Sequence, residues 1–365
     1  MAEIVLITGG AGFIGSHAAD RLLEEGLGVR VVDNLNEQVH AGGRRPAHLS
    51  DDVEFLHADV RDIEAMRRAV RGVTRVAHLA AETSVGQSMY QSDHHVDVNA
   101  RGTAILFRAI REENVEVGRV VLSSSRAVYG EGALRCARCG DINPGPRSPA
   151  DLAAHRWTHY CPNCGDALSP IPTSEEVAPR YSSVYGMTKL FQEQIAAVET
   201  EQLGIPLSVL RYFNVYGPRQ SLTNPYTGLI VTFATRLIQG RELVLYEEGT
   251  PIRDFVHVDD VVGATVAALM QDGDDTQTLN VGTGIPVDLV QLADAVGAAF
   301  GRPVTTELSS RFRLGDIHAA IAETSRLRGA LDLSPGIRIN EGLRTIVDLI
   351  RTAELDDRSE AVERE

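Results

Sequence analysis

Tyr185 and Lys189, in YGMTK, stand four residues apart, a spacing that stacks both side chains on one face of a helix. A phenol titrates at about 10 in water and becomes a usable base near neutral pH only where positive charge favours its phenolate. An ammonium one turn along the helix is such a charge. The run Ser123-Ser124-Ser125 closes the apolar stretch VVLSSS and supplies hydroxyls able to orient a reacting oxygen.

A different chemistry is written in Cys136-Ala-Arg-Cys139-Gly140 and Cys161-Pro-Asn-Cys164-Gly165. These two CxxCG knuckles use all four cysteines of the chain. In each, the glycine permits the turn that aims backbone N–H groups at thiolate sulfur. Four thiolates close a tetrahedral shell, so Cys136, Cys139, Cys161 and Cys164 predict a structural zinc that does not activate water. His155 and His159, in HRWTH between the knuckles, are then surplus, and with Trp157 they are expected to pack or to face solvent.

A third constellation is TGGAGFIG, directly after the apolar run IVLIT. Gly9 suits a tight turn, Gly12 a close approach of backbone to a pyrophosphate, and Gly15 close packing of helix on strand. Asp33 ends the next apolar run at the distance of a ribose-binding carboxylate, which repels a 2′-phosphate and so favours NAD over NADP. HADV, at 57–60, offers Asp59 and Val60 to the adenine edge.

The elements that must carry these residues follow from periodicity. IVLIT, VRVVD, VEFLHAD, VTRVAHLAA and VVLSSS are mostly apolar on both faces and alternate with helical patterns, such as Ile14, Ala18 and Leu22. That alternation predicts an α/β fold with a doubly wound parallel sheet of the Rossmann type. A long helix follows Tyr185, then another strand in LSVLRYFNVYG. Beyond that point shorter elements predict a smaller C-terminal substrate-binding lobe. The expected division is 1–133 with 169–220 for NAD binding, 134–168 as the zinc-knuckle insertion, 221–352 as the lobe with some segments returning to the sheet, and 353–365 as a flexible tail.

At 365 residues, 43% apolar and 23% charged, the chain has ample material for a buried core. A formal net charge of −15 argues against a partner bound through nucleic-acid phosphates. Met1-Ala2-Glu3 runs straight into IVLITGG without a basic segment, and no apolar stretch reaches the ~20 residues of a membrane span. A cytoplasmic protein with reduced thiols, binding neither nucleic acid nor membrane, is therefore expected.

In order along the chain stand TGGAGFIG, HLAA at 78–81, Asn99 in DVNARGT, the serine run, YxxxK, RYFNVYGP and RDFVHVDD. This series resembles the extended short-chain dehydrogenase/reductase family of NAD-dependent nucleotide-sugar epimerases and dehydratases, and covers the chain from residue 8 to about 316. The resemblance implies a catalytic set of Ser125, Tyr185 and Lys189. It implies NAD contacts from Gly9, Gly12, Phe13, Ile14, Gly15, Asp33, Asn34, Asp59, Val60, Leu79, Ala80, Ala81, Asn99, Ser123 and Tyr212 as well as the Tyr–Lys pair. Towards the substrate it implies Asn214, Arg253 and Arg313 around the diphosphate, with Arg219 also binding substrate and Arg126 beside Ser125. AAETSVGQSM and the stretch 212–243 are similar to a bacterial dTDP-L-rhamnose 4-epimerase subgroup, which would put Val85 and Gly86 over the sugar and Asn224 near the nucleotide. A homodimer through a four-helix interface, built from helices near 92–113 and 185–202, is also implied.

In the family's 4,6-dehydratases an Asp–Glu pair follows the catalytic Ser/Thr, and its decarboxylases carry a Glu at the second place. Arg126 and Ala127 stand there in this chain, so elimination has no evident acid and base. What remains is reversible oxidation at C4 of a dTDP- or UDP-hexose, that is, 4-epimerisation with retained NAD. The alternatives are a 4-keto reductase or dehydratase of the same family, or a non-catalytic NAD-binding protein using the ribbon to hold a partner. Asp259, in RDFVHVDD, is expected to cap a helix. The family places its Ser/Thr roughly 25 residues before the Tyr, so the knuckles occupy an insertion at the cleft rim, expected to cover the sugar or meet a second subunit.

Overall fold

Seven parallel strands form the central sheet of the computed structural model, which describes residues 3–222, 224 and 228–352. They are β1 (Ile4–Thr8), β2 (Gly28–Asp33), β3 (Glu54–His57), β4 (Arg75–His78), β5 (Arg119–Ser125), β6 (Leu207–Tyr212) and β7 (Gln277–Val281). Their order across the sheet is β7-β6-β5-β4-β1-β2-β3. The helices between them are α1 (Phe13–Glu24), α2 (Ile63–Val70), α3 (Gly102–Glu112), α4 (Val184–Leu203) and α5 (Val258–Met270).

Burial on both faces explains why the strands read as near-continuous apolar runs. In β1, Val5 and Ile7 face a core shared with Ala18, Ala19 and Leu22 of α1 and Val258, Val261 and Leu269 of α5. Leu6 points the other way, among Met66 and Val70 of α2, Leu106 and Phe107 of α3 and Ala196 of α4. Strand order reverses between β1 and β4, and the crevice beyond the carboxyl ends of the strands opens at that reversal. The glycine turn after β1, the HLAA run after β4 and the serines ending β5 all converge on it.

A further core unites the helices Leu229–Ile238, Leu289–Phe300 and Arg344–Thr352 through Phe233, Leu292, Val296, Phe300 and Ile350. This lobe is interrupted where α5 and β7 return to the main sheet, as the mixed pattern of the sequence suggested. The insertion forms an antiparallel sheet of Leu134–Cys136, Gly140–Ile142 and Ser169–Pro170, so its last strand lies just past the expected boundary at 168. The cap of α5 is His257, whose Nδ1 accepts from Asp259 N–H at 3.3 Å, and not Asp259 as expected; Asp259 sits in the first turn instead. Among the described residues no helix is long and apolar enough to cross a membrane. The expected tail at 353–365 lies outside the described residues.

Candidate active site

The crevice contains a cavity of about 410 Å³. Sixteen of the seventeen residues expected to touch NAD line it; Asn99 does not. Gly9 takes φ +69°, and a Cβ there would stand 2.9 Å from Ala80 Cα, so this turn needs glycine both for its backbone angle and for its closeness to the β4 end. Gly12 lies at the start of α1 and no side chain caps the helix, which leaves its first N–H groups for an anion. Gly15 packs against the backbone of Gly9 and Gly10. Asp33 Oδ2 accepts from Ala11 N–H at 3.0 Å and Oδ1 from Leu35 N–H at 2.9 Å, fixing the carboxylate at the cavity edge. Asp59 is held by Arg61 (2.8 Å) and Asn34 (3.1 Å), and these bonds keep its carboxyl at about 2. The cradle fits a dinucleotide: an uncapped helix start for pyrophosphate and a fixed carboxylate for ribose.

Asn99 is fully buried in a π-helical stretch, Val96–Arg101, that joins the helix Ser92–His95 to α3. Its Oδ1 accepts from Glu82 N–H (2.7 Å), while its Nδ2 donates to Glu82 O (3.0 Å) and Thr188 Oγ1 (2.9 Å). It therefore ties the wall after β4 to the helix carrying Tyr185, rather than facing the cavity.

Tyr185 sits at the start of α4, capped by Ser183, and its backbone N–H donates to Ser88 Oγ at 3.0 Å. Burial raises its phenol above the ordinary value, while a hydrogen bond with Ser125 and the charge of Arg126 act to lower it. Arg126 thus adds a positive charge that favours the phenolate. Lys189 is 2% exposed, its Nζ donates to Gln192 Oε1 at 2.7 Å, and burial brings it down to about 7. Gln192 Nε2 donates to Thr103 Oγ1 (2.8 Å), which itself donates to Asn99 O (2.7 Å). Thr103 Oγ1 also lies 2.9 Å from His78 Nε2, and the other ring nitrogen is 2.7 Å from Thr8 Oγ1. Burial pushes His78 down to about 3, so the ring is neutral and donates through Nε2. Gln192 was missed in the sequence, yet its place three residues after Lys189 puts it on the same helical face.

At the substrate end, Asn214 Oδ1 is buried and unpartnered among the described residues, as expected of an amide kept for a ligand. Arg253 is 5% exposed and held by Asp316 Oδ1 (3.0 Å) and His318 O (3.2 Å). Burial and Arg253 lower Arg126 to about 10, with Asp316 opposing them. Asn224 lines the cavity and accepts from Gln38 Nε2 at 3.1 Å. Val85 and Gly86 form a turn outside the cavity lining. Arg313 is exposed, stacked 5.3 Å over Tyr246, and Arg219 is held by Asp20 of α1 at 2.7 Å. Neither of these two arginines is brought to the cavity wall.

Residues 6–149 match a family described as GDP-mannose 4,6 dehydratase, and residues 161–282 match the NAD dependent epimerase/dehydratase family. A dTDP-L-rhamnose 4-epimerase of Burkholderia thailandensis is 36% identical over 342 residues, 93% of this chain and 92% of the relative. The chain belongs to the NAD-dependent epimerase/dehydratase family. It is an enzyme of the epimerase class. Another family member, a UDP-glucose 4-epimerase of Mycolicibacterium smegmatis, is 32% identical over 95% of this chain and 98% of its own length. The fold is that of the UDP-glucose 4-epimerase of Thermus thermophilus solved in complex with NAD: TM-score 0.75, 31% identity, 96% of this chain and 99% of that one. The corresponding enzyme of Thermotoga maritima, solved with UDP-glucose, gives a TM-score of 0.77 at 29% identity over 95% and 98%.

Beside this family scaffold, the insertion gathers its cysteines. The four Sγ atoms lie within 4.8 Å of one another, and Cys136 and Cys164 are 3.5 Å apart. Thiolates bound at ~2.3 Å around one tetrahedral ion would stand about 3.8 Å apart, so the set fits zinc. Gly140 and Gly165 take φ +84° and +79° with open space around them, so the backbone angle itself demands glycine. His159 is buried against Glu131 at 3.3 Å, and His155 stacks on Trp157, outside the cluster.

Proposed function

We propose that this protein is an NAD-dependent nucleotide-sugar 4-epimerase that converts a dTDP- or UDP-hexose through a transient 4-keto sugar. The observation that carries the reading is Tyr185 and Ser125 together on the wall of the dinucleotide cavity, with Arg126 and Ala127 where an eliminating enzyme needs carboxylates. NAD, when bound, would accept the C4 hydride and give it back to the opposite face of the 4-keto sugar, and its positive charge would favour the phenolate. Tyr185 removes the proton from the 4-hydroxyl, and Ser125 holds that oxygen in line. Arg126 stabilises the phenolate, and Lys189, fixed by Gln192, keeps the ribose side of the helix in register. After the keto sugar turns over, Tyr185 returns the proton. Asn214 and Arg253 hold the diphosphate, and the cysteine cluster holds a structural zinc. The 4-epimerase names of the relatives, acting on dTDP-L-rhamnose and UDP-glucose, support the reading.

The test is turnover of a panel of dTDP- and UDP-hexoses without added cofactor, followed by NMR in D2O. Epimers that keep protium at C4 are expected. Product that needs stoichiometric NADH would make the protein a reductase, and deuterium at C5 with loss of water would make it a dehydratase.

The chain also acts as a homodimer in this reading. Val184, Met187, Phe191, Ile195 and Val198 form one stripe along α4, with Phe191 37% and Val198 55% exposed, beside Val96, Ala100 and Ala104 of the neighbouring helix. Two such faces make a four-helix contact. Phe191→Glu with Val198→Glu should halve the mass measured by sedimentation; an unchanged mass rejects this face.

A further inference from the structure

The cysteine-bearing insertion meets the body of the enzyme at several points, and the most deeply buried ionic one is a single side chain. Arg147, in the stretch between the knuckles, has a side chain 2% exposed. Its guanidinium forks onto Glu247, with Nη1 to Oε2 at 2.5 Å and Nη2 to Oε1 at 3.0 Å. Nε donates to Glu131 at 3.4 Å, Nη2 to Asp316 O at 3.1 Å and Nη1 to Trp157 O at 3.4 Å. Every N–H direction of the fork is thereby used. The carboxylates it meets are equally deep, with Glu131 2% and Glu247 3% exposed.

Glu247 is held at a conformational cost. It and Glu248 take φ +50° and +57°, a left-handed pair of non-glycine residues pinned by backbone bonds from Glu247 N–H to Arg311 O and Glu248 N–H to Ser309 O, both 2.9 Å. The segment so pinned, 309–318, forms the wall beside Arg253. Glu131 Oε2 accepts from His318 N–H at 2.7 Å, and Trp157 of the insertion packs 6.2 Å from the ring of Phe312. Between them, Asp316 and His318 hold Arg253, and Asp316 is the carboxylate that offsets Arg253 beside Arg126. The ribbon thus reaches Arg253 through Arg147 and Asp316.

We infer that the insertion is an internal strut, and that Arg147 is the positioning residue through which it fixes the 309–318 wall and, with it, the anion-binding guanidinium of Arg253. The strut joins the insertion to the wall of its own chain. This inference rests on the reading of Arg253 as a diphosphate ligand only for its effect on turnover; the mechanical part stands apart from it.

The experiment compares parent enzyme, Arg147→Met, Arg147→Lys and the charge-balanced pair Arg147→Met with Glu247→Gln. Hydrogen–deuterium exchange over 309–318 should rise in Arg147→Met while the sheet and the retained NAD stay at parent levels. KM for the nucleotide sugar should rise on the order of 10- to 100-fold with kcat little changed, and Arg147→Lys should recover part of it. Should Arg147→Met fail to fold, the charge-balanced pair carries the same comparison. Parent-like exchange over 309–318 in any folded variant lacking Arg147 overturns the strut. A looser wall with unaltered KM overturns its link to Arg253. Absence of turnover by the parent itself counts against the epimerase reading, and exchange still decides the strut.

Discussion

Tyr185→Phe is expected to lower kcat by about 10²–10⁴-fold, the usual contribution of a positioned acid–base group. The substitution removes one hydroxyl and little else. The residue is anchored from its backbone by Ser88 Oγ at 3.0 Å, and α4 is capped by Ser183, so neither anchor depends on the phenol. The glycine turn, Asp33 and Asp59 are untouched, and NAD released on denaturation should therefore match the parent in amount. KM should move far less than kcat, because the lost contact acts on the proton in flight. A Tyr185→Phe enzyme that turns over as fast as its parent would remove the foundation of the proposed chemistry.

What makes Tyr185 usable was only half legible in the sequence. YxxxK placed the phenol and the ammonium on one face, and the helix formed as read. Yet the burial that encloses Lys189 also gives its Nζ a partner in Gln192, and a further cation that favours the phenolate, Arg126, stands 59 residues before Tyr185 on the other side of the insertion. Spacing along one helix reports stacking, but not which partners the fold brings to either group. Arg219 shows the same limit. Read as a substrate-binding residue, it pairs with Asp20 of α1, a proximity set by the tertiary fold.

Local patterns fared better. Six of the seven strands were read as apolar runs, whereas β7 was not, because it follows lobe elements in the chain. Both CxxCG glycines adopt the positive φ that the motif requires, a constraint that lies within five residues. By contrast, the pair of Arg147 and Glu247 spans one hundred positions, and nothing near either residue marks its partner. The interrupted helix around Asn99 was equally hidden, because a π-helical stretch keeps the apolar pattern of an α-helix while turning one amide inward.

The second large effect concerns the metal. Cys161→Ser with Cys164→Ser should take zinc from one ion per chain to none by elemental analysis, and should open 134–168 to protease while the sheet domain stays intact. The core of the insertion is made by Leu134, Leu168, Cys136 and Cys161 with little else, so two of its main members belong to the cysteine cluster itself. A segment of that size holds its shape only with a cross-link, and zinc on thiolates supplies on the order of 10 kcal/mol in isolated finger peptides. The surrounding geometry agrees: Cys161 N–H donates to Asp166 O and Gly165 N–H to Cys161 O, both at 2.8 Å, shaping the knuckle around the sulfur. Burial raises the Cys161 thiol, while bonds from the backbone N–H groups of Asn163 and Cys164 and from neighbouring cysteines bring it down to about 7; the same crowding of sulfurs pushes the Cys139 and Cys164 thiols up. Melting followed in the variant should show an early, local transition that chelator reproduces in the parent. Parent enzyme purified free of metal, with an insertion resistant to protease, would rule the zinc out.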